Sequence, residues 1–179
     1  GGPAPRAGSR QGDLAAIPDG AVAVAGATII AAGPTADVRA AVPITDATRV
    51  VDGRGHSLVP GFVDGHTHVV FAGDRREELR RRLGGATYAE IAAAGGGILS
   101  TVRATRAASE AELAAQTRVR LAEMLAAGTT TCEAKSGYGL DTDSERRMLR
   151  VIGALGGSQP MELAATFMGA HEVPPEYRG

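Results

Sequence analysis

Apolar residues in this chain change their spacing along its length. In the first sixty residues they come in short β-branched runs, "AVAVAGATIIAAG" and "TRVVDGRGHSLVPGFV", separated by Gly, Pro and Asp turns. That pattern predicts a small β-rich layer, with no helical period inside it. From residue 75 onward the period lengthens. The segments "DRREELRRRL", "TYAEIAAA", "GILSTVRATRAA" and "SEAELAAQTRVRLAEMLAAG" read as helices. The last opens with a Ser109-x-x-Glu112 capping box and closes at Gly128. After it, "TTTCEAKSGYG" is a brief β-prone run ending in a glycine-containing loop, "DTDSERRMLRVIGALG" reads as a further helix, and "MELAATFMGAH" reads as a strand.

With a first strand at about residues 58 to 66, the order is strand, helix, strand, helix, strand, each strand short and apolar on both faces. This is the pattern of βαβ units around a parallel sheet. The expected fold class is α/β. The division expected is a β-rich amino-terminal domain over residues 1–57 and βα units over 58–179.

Composition narrows the function classes without choosing among them. The chain has 179 residues, 44% hydrophobic and 22% charged, with a net charge of -1, which suits a globular protein of one or two domains. It carries no basic field and no Lys/Arg cluster interleaved with aromatics, so nucleic acid is not an expected partner. No apolar stretch approaches the ~20 residues that span a bilayer, and the start lacks the basic-then-apolar pattern of a signal peptide. The expectation is therefore no membrane association and a cytoplasmic location. The start also lacks a methionine, and "VPPEYRG" closes in polar loop chemistry, so the chain is expected to be a piece of something longer. Cys132, the sole cysteine, lies within the apolar "TTTCEA" and reads as a buried strand residue.

The candidate chemistry falls after the strands. His66 and His68 follow the first, Tyr138 the second and His171 the third, and in parallel α/β sheets the ligand site lies at the carboxyl ends of the strands. Residues i and i+2 of an extended segment project to one side, so two imidazoles can reach one zinc-like ion. Two ligands are too few for a complete site. Glu133 and Lys135 are also two apart and are expected to point inward together. The glycines at 95–97 lack both the dinucleotide-binding spacing and a phosphate-loop lysine, and read as a flexible turn.

The stretch "LVPGFVDGHTH", preceded by a β-rich leader, resembles the opening of the amidohydrolase superfamily. Within it, "HTHVVFAGDRREEL", "RLGGATYAEIAAAGGGILSTVRATRAAS", "GTTTCEAKSGYGLD" and "TFMGAHEVPPEYRG" resemble successive blocks of the imidazolonepropionase family. The resemblance implies the first part of a TIM-like (β/α)8 hydrolase barrel, preceded by part of a composite β-sandwich. It implies that His66 and His68 ligate one divalent or trivalent metal ion, zinc or iron. It also implies that Arg75, Tyr138 and His171 bind a small-molecule substrate. Arg75 suits a carboxylate because its planar fork donates two parallel hydrogen bonds, whereas Arg76 is read as a solvated charge. His56 matches nothing in the family and is read as structural.

The implied activity is metal-assisted hydrolysis of the cyclic amide of 4-imidazolone-5-propanoate to N-formimidoyl-L-glutamate, in histidine degradation. The general base and remaining metal ligands are expected beyond residue 179, so the isolated chain is expected to be inactive. A homodimer is compatible with the reading. The alternatives are another cyclic amidohydrolase or aminohydrolase, and a truncated non-catalytic module.

Overall fold

The computed structural model describes residues 6–177. The chain divides into two compact units, Gly1–Leu58 and Val59–Gly179.

In the first unit, β1 (Gly20–Ala25) and β2 (Thr28–Pro34) form an antiparallel hairpin with a register irregularity at Ala23/Val24. Gly26 takes the positive φ of 59° needed to reverse the chain, a value that costs glycine little. A short helix, α1 (Thr35–Ala41), follows directly and buries Val38. No helix is expected there from the apolar spacing, because a seven-residue helix offers one buried position and no repeat to detect. The second β-branched run also departs from expectation. Among the described residues no strand forms between 42 and 61, and only Phe62 and Val63 of that run enter a sheet. Val50 and Val51 stay 60% and 74% exposed. β-branched side chains favour extended backbone, but a strand also needs a ladder partner, and this segment turns on itself through Asp52, which accepts from Arg54 N–H and its guanidinium.

The second unit is α/β. β3 (Phe62–Thr67), β4 (Thr129–Lys135) and β5 (Glu162–Thr166) form a parallel sheet in the order β3-β4-β5. The first strand begins four residues later than its apolar run, and the third is confined to the start of "MELAATFMGAH". Between β3 and β4 lie α2 (Arg76–Leu83), α3 (Tyr88–Ala93), α4 (Ile98–Ala107) and α5 (Glu110–Ala126), and α6 (Thr142–Gly156) joins β4 to β5. The Ser109/Glu112 capping box is present on α5, and a second one, Thr87/Glu90, opens α3. Gly128 ends the α5 segment at φ 97°.

The core lies between the sheet and its helices. α5 packs on β4, and α6 packs on both α5 and β5. Leu113 and Leu121 of α5, Met148, Val151, Ile152 and Leu155 of α6, and Cys132 and Ala134 of β4 are all buried. Each large apolar side chain sealed this way contributes roughly 1.5–3 kcal/mol. Burial also pushes the Cys132 thiol pKa up, as expected for an inert strand cysteine. Three parallel strands make an open sheet, and all three direct their carboxyl ends to the same side.

Candidate functional site

That carboxyl-end side gathers the candidate residues. His66 ends the exposed part of β3, and His68 follows the strand, half-buried. Their ring centroids are 5.8 Å apart. His68 meets two groups from the neighbouring loops: its ring stacks on His171 at 4.6 Å and 15°, and lies 5.0 Å from the Tyr138 ring. Tyr138 and His171 are themselves 5.5 Å apart. Three segments distant in sequence thus place His68, Tyr138 and His171 in one cluster, with His66 beside it.

The environment of His68 is unusual for a surface histidine. Burial, followed by the neighbouring His171, pushes its pKa below the ordinary value, while the Ser136 backbone opposes the change and His66 and Lys135 add to it. The neutral ring is therefore favoured. Its Nδ1 is buried and has no hydrogen-bond partner among the described residues. A neutral imidazole with an unpartnered buried nitrogen fits a metal ligand. Among the described residues, however, no group of three or more His, Cys, Asp or Glu side chains is arranged to hold a metal.

Arg75 lies at the start of α2 and lines a cleft of about 170 Å³ with Phe71, Asp74, Thr101 and Tyr138. No ion pair or hydrogen bond engages its guanidinium among the described residues. Arg76, by contrast, lies 3.9 Å from Asp74. The two adjacent arginines are thereby distinguished: one faces a cleft without a partner, the other is an exposed charge beside a carboxylate. Phe71 meets Tyr138 edge to face at 6.0 Å. The Arg120 guanidinium covers the Phe71 ring at 3.5 Å and donates to the Val69 and Phe71 carbonyls, so α5 holds the segment that follows the histidine pair.

The loop after β4 is held from several sides. Gly137 has φ 109°, and a Cβ there would come within 3.0 Å of both His171 Cβ and the Met168 carbonyl oxygen. This close approach lets the Gly137 carbonyl accept from His171 Nδ1 at 2.9 Å. A carbonyl only accepts, so Nδ1 carries the proton and Nε2 is the acceptor of the neutral ring. The Ser136 hydroxyl accepts from Met168 N–H at 2.9 Å. Beneath the loop, the carboxylate of Glu145, 3% exposed, accepts from Gly137, Gly139 and Leu140 N–H at 2.9, 2.7 and 2.9 Å. Arg106 donates to the Gly139 carbonyl and pairs with Asp141 and Glu176.

Glu133 and Lys135 form an ion pair at 2.6 Å, and Thr166 donates to the same carboxylate. The Lys135 hydrogen bond, then that of Thr166, holds the Glu133 pKa below the usual range. Gly97 N–H donates to Glu78, which gives the three-glycine turn a structural partner. His56 is exposed in the other unit, beside the Arg54 carbonyl.

Phe71, Asp74 and Thr101 of the cleft are not singled out by sequence, and neither is Glu145. Phe71 and Asp74 do fall inside the quoted "HTHVVFAGDRREEL" block. An acid in the first turn of α6 is normally a dipole-compensating surface charge.

No family model matches the chain. Its relatives do decide the question of kinship. The imidazolonepropionase of Symbiobacterium thermophilum is 56% identical over 174 residues, 97% of this chain and 41% of the relative. That of Chloroflexus aggregans is 52% identical over 179 residues, 100% of this chain and 41% of the relative. The chain belongs to the imidazolonepropionase family. It corresponds to the amino-terminal part of such a protein and spans about two fifths of the length of the curated relatives it matches. The imidazolonepropionase of Halobacterium salinarum is 54% identical over 156 residues, 87% of this chain and 37% of the relative. The imidazolonepropionase match runs through both units, including the leader whose motifs are weakest.

Proposed function

We propose that the protein of which this chain is a part hydrolyses the cyclic amide of 4-imidazolone-5-propanoate, giving N-formimidoyl-L-glutamate. The observation that supports this most directly is the unpartnered Arg75 guanidinium in a cleft shared with Tyr138, beside the His66–His68 pair. The substrate carries a carboxylate on a short arm and a polar planar ring. Arg75 would take the carboxylate through paired N–H donors. Tyr138 would present its phenol to the ring. His171, with Nδ1 committed to Gly137, would accept from a ring N–H through Nε2, and would donate to a ring carbonyl only as the imidazolium.

His66 and His68 would hold one zinc or iron ion, supplying two of its ligands. When bound, such an ion makes water acidic enough to deliver hydroxide near neutral pH and polarises the carbonyl. Water then adds at the ring carbon and the C–N bond opens, the nitrogen taking a proton as it leaves. No group among the described residues is assigned as the base, and further ligands would come from outside them. The second unit would form the opening βα units of a (β/α)8 barrel, with the first unit as part of a β-sandwich. The test is to purify the full-length protein with its metal and follow loss of imidazolone absorbance alongside appearance of N-formimidoyl-glutamate. Turnover of other cyclic amides but not this one would transfer the assignment to another cyclic amidohydrolase.

A further inference from the structure

We infer that Glu145 is a positioning residue for substrate recognition: from the first turn of α6 it holds the 137–140 loop in the conformation that presents Tyr138 and fixes His171. This inference rests on the function proposed above. Three observations carry it. First, the Glu145 side chain is buried without a salt bridge among the described residues, and backbone N–H groups of a single loop supply its hydrogen bonds. Burying a carboxylate is costly unless its lone pairs are filled, and here the loop fills them.

Second, the donors bracket the functional residue. Gly137 and Gly139 flank Tyr138, so the carboxylate holds the backbone before and after the phenol. Both positions are sterically restricted to glycine, since a Cβ at Gly139 would lie 2.7 Å from Glu145 N and Ser144 Cβ. The close packing of loop on helix that lets one carboxylate reach three N–H groups is therefore built into the sequence at both glycines. Third, the effect passes on to His171. Gly137, whose N–H donates to Glu145, also presents the carbonyl that accepts from His171 Nδ1. One side chain that touches no ligand thus sets the position of two groups that would.

A role in general folding and a role in positioning make different predictions. We would compare wild type, Glu145→Gln, Tyr138→Phe and the double variant in the full-length metal-loaded protein, with Met148→Ala as a buried α6 control outside the loop. Gln retains one carbonyl acceptor for Gly139 and Leu140 but sets an amide donor against a loop N–H. Glu145→Gln is expected to raise KM for imidazolone propionate about tenfold, the scale of a lost hydrogen bond to a charged acceptor, with metal content unchanged and kcat altered less than KM. In the Tyr138→Phe background the added effect should fall clearly below tenfold without vanishing, because the part that passes through the phenol is lost while the part that passes through His171 remains. Hydrogen exchange should show residues 137–140 losing protection in Glu145→Gln while the end of α6 keeps it. Met148→Ala should lower thermal stability without the KM change.

Equal losses in kcat and KM, full additivity with Tyr138→Phe, or unchanged loop protection would overturn the inference. Wild-type protein inert toward imidazolone propionate would instead sink the functional reading, and the exchange measurement would still decide whether Glu145 holds the loop.

Discussion

The rings of His68 and His171 stack at 4.6 Å and 15° from parallel, joining the end of the first parallel strand to the loop after the third. Two imidazoles in face contact avoid being charged together, and this contact adds to the burial that keeps His68 neutral. A pair arranged this way suits one ring that donates a lone pair and another that recognises a ligand.

Replacing His68 with Ala in the full-length protein is expected to remove bound metal and most turnover, because under the proposed function the neutral ring would supply a ligand that water replaces weakly. His66→Ala should do the same. Metal analysis of both purified variants checks this, and stoichiometric metal with near-normal turnover would end the assignment.

Arg75 and Arg76 offer an internal comparison. Arg75→Lys should weaken imidazolone propionate binding by about 1.5–3 kcal/mol, the range for a charge-assisted hydrogen bond, and leave metal content intact. Arg76→Lys should change little, since that side chain is 91% exposed beside Asp74. Equal effects in a binding titration would mean that the arginines act only as general charge.

Gly137→Ala should destabilise the protein by about 1–3 kcal/mol, because it combines a strained positive φ with contacts of 3.0 Å to Met168 and His171. Gly153→Ala, inside α6 with open space around the added methyl, should instead stabilise by about 0.5–1 kcal/mol. Melting curves of the two variants must move in opposite directions.

Acid should weaken the helix start at Asp141. Burial pushes this carboxyl upward, but the Ser144 and Asp143 hydrogen bonds and the Arg106 charge outweigh it, leaving the pKa below the ordinary value. The depressed folded value means that the stabilisation is present above the unfolded pKa of about 3.9 and is lost as pH falls through the folded one. Asp141→Asn keeps a capping oxygen but not the charge. Its stability deficit should therefore be measurable by denaturant titration at pH 6 and should shrink as pH falls below the unfolded value of about 3.9 and through the lower folded one. A deficit independent of pH would show that the cap alone matters.

The sequence carries the α/β order of the second unit because its helices are long or capped, as with Ser109 and Glu112, and because Gly128 marks a real chain reversal. It carries less of the first unit. Thr35–Ala41 is too short to show a period, and Val50–Val51 have strand-forming side chains without a strand to pair with. The His66/His68 proximity is local and so can be read from an i, i+2 spacing. The stacking of His68 on His171 depends on the parallel register of three strands, and the support from Glu145 depends on a loop folding back over its own helix. Neither leaves a periodic signal, although two glycines around a tyrosine, followed by an acid in the next helix, are the residues that such a fold-back requires.

Arg120 has a consequence for which molecules the cleft can accept. Its guanidinium occupies one face of Phe71, and Tyr138 approaches that ring edge to face. A flat heterocycle cannot be sandwiched on the face already taken, so aromatic character alone gives a ligand little advantage there. Discrimination is left to charge and hydrogen-bond geometry, and a hydrophobic mimic of the same outline should be turned away.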